Sequence, residues 1–157
     1  YRDLKKYEEA IKSFQEARAL YKSNKEVIHV ARCDQKIASC YVELGNGDSA
    51  LESARKALDV FETAHDHLRE TFALFEYGKA QVLLGKLEEG LDSLDTVLQT
   101  ATEEDPKDFE FIVDIESRMA SVMRTLGRTA EADEVERRLA SVRDAMIEDT
   151  NNEDERA

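Results

Sequence analysis

The feature that most constrains the fold of this chain is an internal repeat marked by a leucine-glycine pair. The pair occurs at Leu44-Gly45, Leu84-Gly85 and Leu126-Gly127, and Leu4-Lys5 occupies the equivalent position in the first copy with lysine in place of glycine. The successive spacings are therefore 40, 40 and 42 residues. A period of this size is typical of an array in which each repeat is one supersecondary unit stacked on its neighbours.

Each repeat reads as a helical hairpin. Apolar residues recur at helical spacing after the pair, as in Ala50, Ala54, Ala57 and Leu58. Glycine tolerates the left-handed exit from a helix, so we expect short turns at the three glycines of the leucine-glycine pairs. Small residues, which allow close helix packing, recur at two fixed distances from the second residue of each pair. Five residues after it the chain has Ala10, Ala50, Gly90 and Ala132. Seven residues before it the chain has Ala38, Gly78 and Ala120.

Composition supports an all-α fold and narrows the classes of partner. The 157 residues include one proline and 36% charged residues, with a net charge of −13. Such a charge disfavours binding to nucleic acid and to anionic lipid, and no apolar stretch reaches the roughly 20 residues of a membrane span. Cys33 and Cys40 would lie about 10 Å apart on one helix, too far for a disulfide bond, so we expect buried thiols in a cytoplasmic protein.

Two helix starts are predicted from capping residues. Asp48 is a candidate N-cap for the helix that follows Gly45. Asp105 and Pro106 form a candidate N-cap and first-turn pair, which would begin another helix near residue 106.

The pattern Tyr41, Leu44, Gly45, Ala50 and Ala57 resembles the tetratricopeptide repeat, and so does its copy at Tyr1, Leu4, Ala10, Phe14 and Ala17. The chain departs from the family pattern at Lys5, Gly90 and Glu136, and its spacing of 40 exceeds the family's usual 34. The resemblance implies a right-handed superhelical stack of antiparallel helical hairpins with longer helices. The predicted domain covers residues 1–147, with a repeat remnant at 1–23 and repeats at about 25–64, 66–104 and 106–147.

The two ends of the array are predicted to differ. The second helix of the last repeat carries Asp133 and Glu136 where earlier repeats carry apolar residues, so the array should stop there. At the other end, Ile11, Phe14 and Tyr21 are exposed unless residues upstream of Tyr1 cover them or two copies pair as a homodimer through this surface. The acidic tail at 148–157 is either disordered or a helical extension.

The resemblance implies that the protein binds a peptide or protein along a concave groove. Carried onto this chain, the groove positions are Arg32, Gln35, Lys36, Ser39, Val42, Glu43, Phe72, Phe75, Glu76, Lys79, Val82, Leu83, Asp114, Ser117, Arg118, Ser121, Arg124 and Thr125. These positions carry five cations and three acids, which favours an acidic partner held by arginines and lysines. The alternative is that the same cations pair with Glu43, Glu76 and Asp114 on the surface.

Catalysis is the weaker hypothesis. The segment FETAHDHLRE contains four residues of types that can bind a metal ion, namely Glu62, His65, Asp66 and His67. These residues lie at a predicted junction between two helices, where polar side chains also serve to bond the free backbone groups of helix ends. No Gly-rich phosphate loop, GxSxG, HExxH or CxxC motif occurs. We therefore predict a non-enzymatic adaptor or scaffold without metal or cofactor. The alternatives are a peptide sensor that changes conformation on binding and a self-assembling structural module.

Overall fold

The structure, a computed structural model, describes residues 2–156, and at Arg2 it describes the backbone alone. Tyr1, the first residue of the repeat pattern, lies outside the described residues. The helices are α1 (Arg2–Ser23), α2 (Val27–Glu43), α3 (Gly47–Thr63), α4 (His67–Leu83), α5 (Leu87–Glu104), α6 (Phe109–Thr125) and α7 (Thr129–Arg156). The prediction of an all-α fold made of helical hairpins is confirmed. In the described part of the chain, no helix is both long and apolar enough to cross a membrane.

The chain divides into two compact units, unit 1 at residues 1–97 and unit 2 at residues 98–157, and α5 runs across the division. Within unit 1, α2 packs against α1, α3 and α4. Within unit 2, α6 packs against α7.

Five of the connectors between helices share one turn geometry, in which a single residue adopts the left-handed conformation. These residues are Lys25 (φ 58°), Gly45 (φ 74°), His65 (φ 55°), Gly85 (φ 78°) and Gly127 (φ 79°). At the second connector, the Gly45 N–H donates to the Val42 carbonyl at 3.0 Å and the Asn46 N–H to the Tyr41 carbonyl at 2.9 Å. This is the Schellman arrangement, which satisfies the last carbonyls of a helix. The three predicted glycine turns are confirmed, while the equivalent turns at Lys25 and His65 were not identified.

Both predicted helix starts are wrong by two or three residues. The cap of α3 is Asn46, whose side chain accepts a hydrogen bond from the Ser49 N–H at 3.3 Å. Asp48 instead lies in the first turn, because the helix begins directly after the left-handed turn. The cap of α6 is Asp108, which accepts from the Phe111 N–H at 3.3 Å. Asp105 bonds the Lys107 N–H within the preceding turn, so the helix begins after Pro106 rather than at it.

The core of unit 1 includes two apolar clusters that contact different sides of α2. On one side Ala31 packs with Ala57, Phe61 and Ala73, all fully buried, and Ile28 packs against them. On the other side Ile37 and Cys40 pack with Ile11 of α1. Burial of these side chains from water is the main favourable contribution to the packing of the helices.

Small residues permit the close approach of α4 and α5 within unit 1, as their spacing predicts. A Cβ atom added at Gly90 would lie 2.6 Å from Val82 Cγ2 and 3.1 Å from the Gly78 carbonyl oxygen. Both distances are shorter than ordinary van der Waals contact, so the interface has no room for a methyl group here.

Unit 2 has a small core between α6 and α7, formed by Ile115, Met119, Val135 and Leu139. The acidic segment after Ile147 continues α7 as helix to Arg156, which is the helical one of the two alternatives drawn from the sequence.

Candidate functional site

The α2 part of the predicted groove forms one continuous face. Arg32, Lys36, Ser39 and Glu43 are spaced by four, three and four residues, which places them on the same side of the helix. Arg32, Lys36 and Glu43 are exposed, whereas Ser39 is half-buried. Gln35, also half-buried, lies at the edge of this face.

The α4 part of the predicted groove is mostly closed. Phe75, Glu76 and Lys79 are 6%, 6% and 7% exposed, and Phe72 is half-buried. The Lys79 ammonium lies 3.1 and 3.0 Å from the two Glu76 carboxylate oxygens and 4.1 Å from the centre of the Phe75 ring. An ammonium held by a carboxylate and an aromatic face is satisfied internally. Lys79 therefore offers little charge to a partner.

The α6 part carries cations that are already paired within unit 2. Arg118 donates to Asp114 on the same helix at 2.9 Å. Arg124 donates to Asp133 at 2.7 Å and to the two oxygens of Glu136 at 2.9 and 2.6 Å. These hydrogen bonds from Arg124 hold the pKa of Glu136 below its usual value. The remaining predicted positions on α6 carry no charge, and they are Ser117, Ser121 and Thr125.

Arg32 and Lys36 differ from the other three predicted cations. No carboxylate within residues 2–156 forms an ion pair with either of them. They lie one turn apart on an exposed helix face, a spacing at which both can contact neighbouring carboxylates of one ligand. The alternative in which these cations pair on the surface therefore describes Lys79 and Arg118, and it does not describe Arg32 and Lys36.

A cavity of about 210 Å³ lies beside these two cations, between α1 and α2. Its walls are formed by Phe14, Ala17, Tyr21, His29, Arg32, Cys33 and Lys36. We call it the end cavity. The rings of Tyr21 and His29 lie 4.8 Å apart, and burial raises the pKa of the Cys33 thiol, to which the nearby Asp34 carboxylate adds. No acidic side chain is among the wall residues that the structure describes.

The three residues predicted for self-association are not all on a surface. Ile11 is 7% exposed because it packs against Ile37 and Cys40. Phe14 and Tyr21 are half-buried, and both face the end cavity. Of the three residues predicted for self-association, Phe14 and Tyr21 are therefore partly exposed and Ile11 is not.

The buried charge of Asp34 was not predicted from the sequence. Asp34 is 4% exposed and accepts a 2.7 Å hydrogen bond from Arg18 of α1. A signal existed, since Asp34 follows Ala31 and precedes Ile37 by three residues each, which places an acid on the apolar side of a helix. This partly buried ion pair joins α1 to α2.

The polar residues at the junction between α3 and α4, which include His65 and His67, are explained by the geometry of the helix ends. His65 holds the left-handed turn position, and Asp66 caps α4 by accepting from the Arg69 N–H at 3.2 Å. The hydrogen bond from the Arg69 side chain lowers the pKa of Asp66. Over residues 2–156, no cluster of three or more His, Cys, Asp or Glu side chains is placed to hold a metal ion.

Comparison with known proteins bears on the N-terminal part of the chain. The family model described as tetratricopeptide repeat matches residues 1–63, the segment that spans α1, α2 and α3. No curated protein matches the chain significantly.

Proposed function

We propose that the protein is a non-catalytic module that binds an acidic partner through α2, because residues 1–63 match the tetratricopeptide repeat family, whose members generally serve as protein-interaction scaffolds. The binding surface is the α2 face that carries Arg32, Lys36, Ser39 and Glu43. The buried thiols of Cys33 and Cys40 fit the cytoplasmic location that the sequence predicts.

This proposal rests on the difference in charge and ion pairing between the two cations Arg32 and Lys36 and the rest of the molecule. The chain has a net charge of −13, yet these two exposed cations have no ion-pair partner within residues 2–156. Hydrogen bonds between a guanidinium or ammonium and a carboxylate are stronger than neutral ones. The acidic body of the protein also repels anions elsewhere, so attraction is concentrated at this face.

The proposal is tested by mapping the contact face with a photo-crosslinking amino acid. Placed at Glu43, which shares the face of Arg32 and Lys36, the crosslinker should capture a partner protein from the native host. Placed at Lys12, on the opposite side of α1 from the end cavity, it should capture none. Equal capture at both positions would contradict a binding face on α2.

A pair of charge variants completes the test. Arg32→Ala with Lys36→Ala should weaken binding of the captured partner about tenfold or more and reduce its dependence on salt concentration. The matched control is Lys5→Ala with Lys12→Ala, which removes the same charge from exposed positions of α1. Equal effects of the two double variants would mean that only net charge matters, and would refute a specific site.

A further inference from the structure

A second cavity within unit 1 lies among α1, α2 and α3. Its volume is about 480 Å³, and its lining residues come from all three helices, between residues 15 and 56. Both α1 and α3 pack against α2, so the cavity lies between successive repeats of the array. We call it the inter-helix cavity. Small-molecule sites in proteins have volumes of about 300–1,000 Å³, a range that includes this cavity.

The internal repeat provides a comparison for the charge of this cavity. Residues 40 apart occupy equivalent places in unit 1, so each lining residue has an equivalent in α3, α4 or the first part of α5. The lining has two carboxylates and three cations, which are Arg18, Lys22 and Lys56. The equivalent residues have four carboxylates and one cation. In a chain with a net charge of −13, the inter-helix cavity is therefore locally cationic.

One of the three cations is held by a buried carboxylate. Arg18 Nε donates to Asp34 Oδ1 at 2.7 Å, and the Asp34 side chain is 6% exposed. The equivalent residues are Leu58 and Leu74. Because apolar residues often stabilise a fold as well as a buried ion pair does, packing alone does not explain the pair. Its bond through Nε leaves both terminal nitrogens of the guanidinium without a hydrogen bond to any residue among 2–156.

The hydroxyl groups of the lining also lack partners. In the equivalent place, the Ser93 hydroxyl donates to the Gln81 side chain at 2.6 Å. The counterparts Ser53 and Tyr41 are half-buried, yet neither hydroxyl bonds to a residue in the described part of the chain. The same holds for the hydroxyl of half-buried Ser49. Since polar groups out of water are normally bonded, these hydroxyls are donors for a bound molecule.

Donors of this kind and number match a phosphate group. A phosphate ester has three strong acceptor oxygens and a charge of about −1.5 to −2 at pH 7. A guanidinium can donate two parallel hydrogen bonds to such oxygens, and the hydroxyls supply further donors. A carboxylate has two oxygens and a single charge, so it would use fewer of these groups.

The two lysines can reach such a ligand. Lys22 is exposed and forms no ion pair within residues 2–156. Lys56 lies 3.5 Å from Glu52, one turn earlier on α3, and both side chains are more than half exposed. Exposed pairs of this kind contribute little to stability, so a ligand can replace Glu52.

We propose that the inter-helix cavity binds the phosphate group of a small phosphate ester. The terminal nitrogens of Arg18 and the hydroxyls of Ser49 and Ser53 donate to the phosphate oxygens. Lys22 and Lys56 balance the charge of the phosphate. The inference goes beyond the proposed function, because none of these residues belongs to the α2 face and the ligand is a small molecule.

The first test compares two ligands that share a ring and differ in the acidic group. Phenyl phosphate and benzoate are titrated into the full chain at constant ionic strength, and the backbone amides are followed by NMR. Phenyl phosphate should bind at least about tenfold more tightly, because it makes more charged hydrogen bonds. The largest shifts should occur at Ala19, Ser49 and Ser53. Equal affinities, or largest shifts at Arg32 and Lys36, would overturn the proposal.

The internal repeat supplies a variant that removes the arginine without leaving a buried charge unpaired. Arg18→Leu with Asp34→Leu reproduces the residues found at Leu58 and Leu74. This double variant should retain the helical circular dichroism of the unaltered chain. It should weaken the binding of phenyl phosphate at least about tenfold, and an unchanged affinity would overturn the proposal.

A surface variant tests the site without any change in the core. Lys22→Glu, which copies Glu62, should weaken the binding of phenyl phosphate about threefold or more. The matched control is Lys6→Glu, which makes the same change of charge at an exposed position on another side of α1 and should leave the affinity unchanged. Equal effects of the two variants would show that only net charge matters, and would refute a site at the cavity.

Two further ligands identify the class of molecule. Inorganic phosphate should bind more weakly than phenyl phosphate, because it has no apolar part to contact the Tyr41 ring. Equal binding would mean that the ligand is the free ion, and would refute a phosphate ester. A phosphoserine peptide that bound at least about tenfold more tightly than phenyl phosphate would identify a phosphorylated protein instead, and would also refute it. The crosslinking at Glu43 tests the proposed function separately, so either conclusion can fail alone.

Discussion

The connectors on either side of α2 place two different residues in the same left-handed conformation. Lys25 has a φ of 58° and Gly45 a φ of 74°. An L-amino acid in this region costs about 1–2 kcal/mol relative to the right-handed one, whereas glycine has no such cost. The protein should therefore respond in opposite directions to glycine gained at Lys25 and glycine lost at Gly45.

The magnitudes follow from the backbone alone. Lys25→Gly removes the cost of the left-handed conformation but makes the unfolded chain more flexible, which opposes the gain by about 0.4–1 kcal/mol. The expected net stabilisation is about 0.5–1 kcal/mol. Gly45→Ala should destabilise by a similar amount, because a Cβ at Gly45 would meet nothing within 4 Å and adds no steric term.

Thermal unfolding followed by far-UV circular dichroism measures both effects. For a chain of this length, 1 kcal/mol corresponds to a Tm shift of about 2–4 °C. The matched control is Lys22→Gly, in the last turn of α1, which should destabilise by about 1 kcal/mol because glycine is unfavourable inside a helix. If Lys25→Gly lowers Tm as Lys22→Gly does, or if Gly45→Ala raises it, the left-handed conformation does not control the stability of these turns.

Three further predictions concern helix ends and packing. Asn46→Ala should cost about 1 kcal/mol of unfolding free energy in urea titrations, whereas Asp48→Ala should cost clearly less, because Asn46 is the cap. Gly90→Ala should destabilise the protein, because the clash with Val82 costs about 1–3 kcal/mol and the gain in helix propensity offsets only part of that cost. Val82→Ala in the same chain should restore part of the lost stability. Strictly additive effects of the two substitutions would contradict the clash. Asp66 has a lowered pKa because the side chain of Arg69 donates a hydrogen bond to it. Its contribution to stability is therefore complete above the ordinary Asp pKa of about 4 and is lost as the pH falls through the lower pKa of the folded state. Asp66→Asn keeps a capping side chain but should make Tm less dependent on pH in that acid range, and an unchanged acid dependence would assign it to other carboxylates.

The turns of the repeat could be predicted from sequence only where glycine occupies them. Gly45, Gly85 and Gly127 were found because glycine is the residue that adopts the left-handed conformation without cost. Lys25 and His65 adopt the same conformation, but their side chains give no such signal. The repeated turn imposes this conformation on them because a helix must end and reverse direction at each place.

The candidate site could be predicted only in part, for a related reason. The resemblance to the repeat family placed Arg32 and Lys36 among the groove positions, and in the structure they lie one turn apart on α2. The resemblance also placed Arg124 among the groove positions, although Arg124 forms ion pairs with two carboxylates of α7. Spacing within one helix cannot show such a pairing, because it depends on the distance to another helix.

By itself the sequence determined the helical hairpins, the three turns that contain glycine and the small residues at the helix contacts, because periodicity, glycine and side-chain size act locally. Only the tertiary structure decided which charges are paired or buried. It buried Lys79 against Glu76 and Phe75, paired Arg124 with Asp133 and Glu136, and left Arg32 and Lys36 beside an open cavity. The physical reason is that the strength of an ion pair depends on separation and burial, and both are set by helix packing.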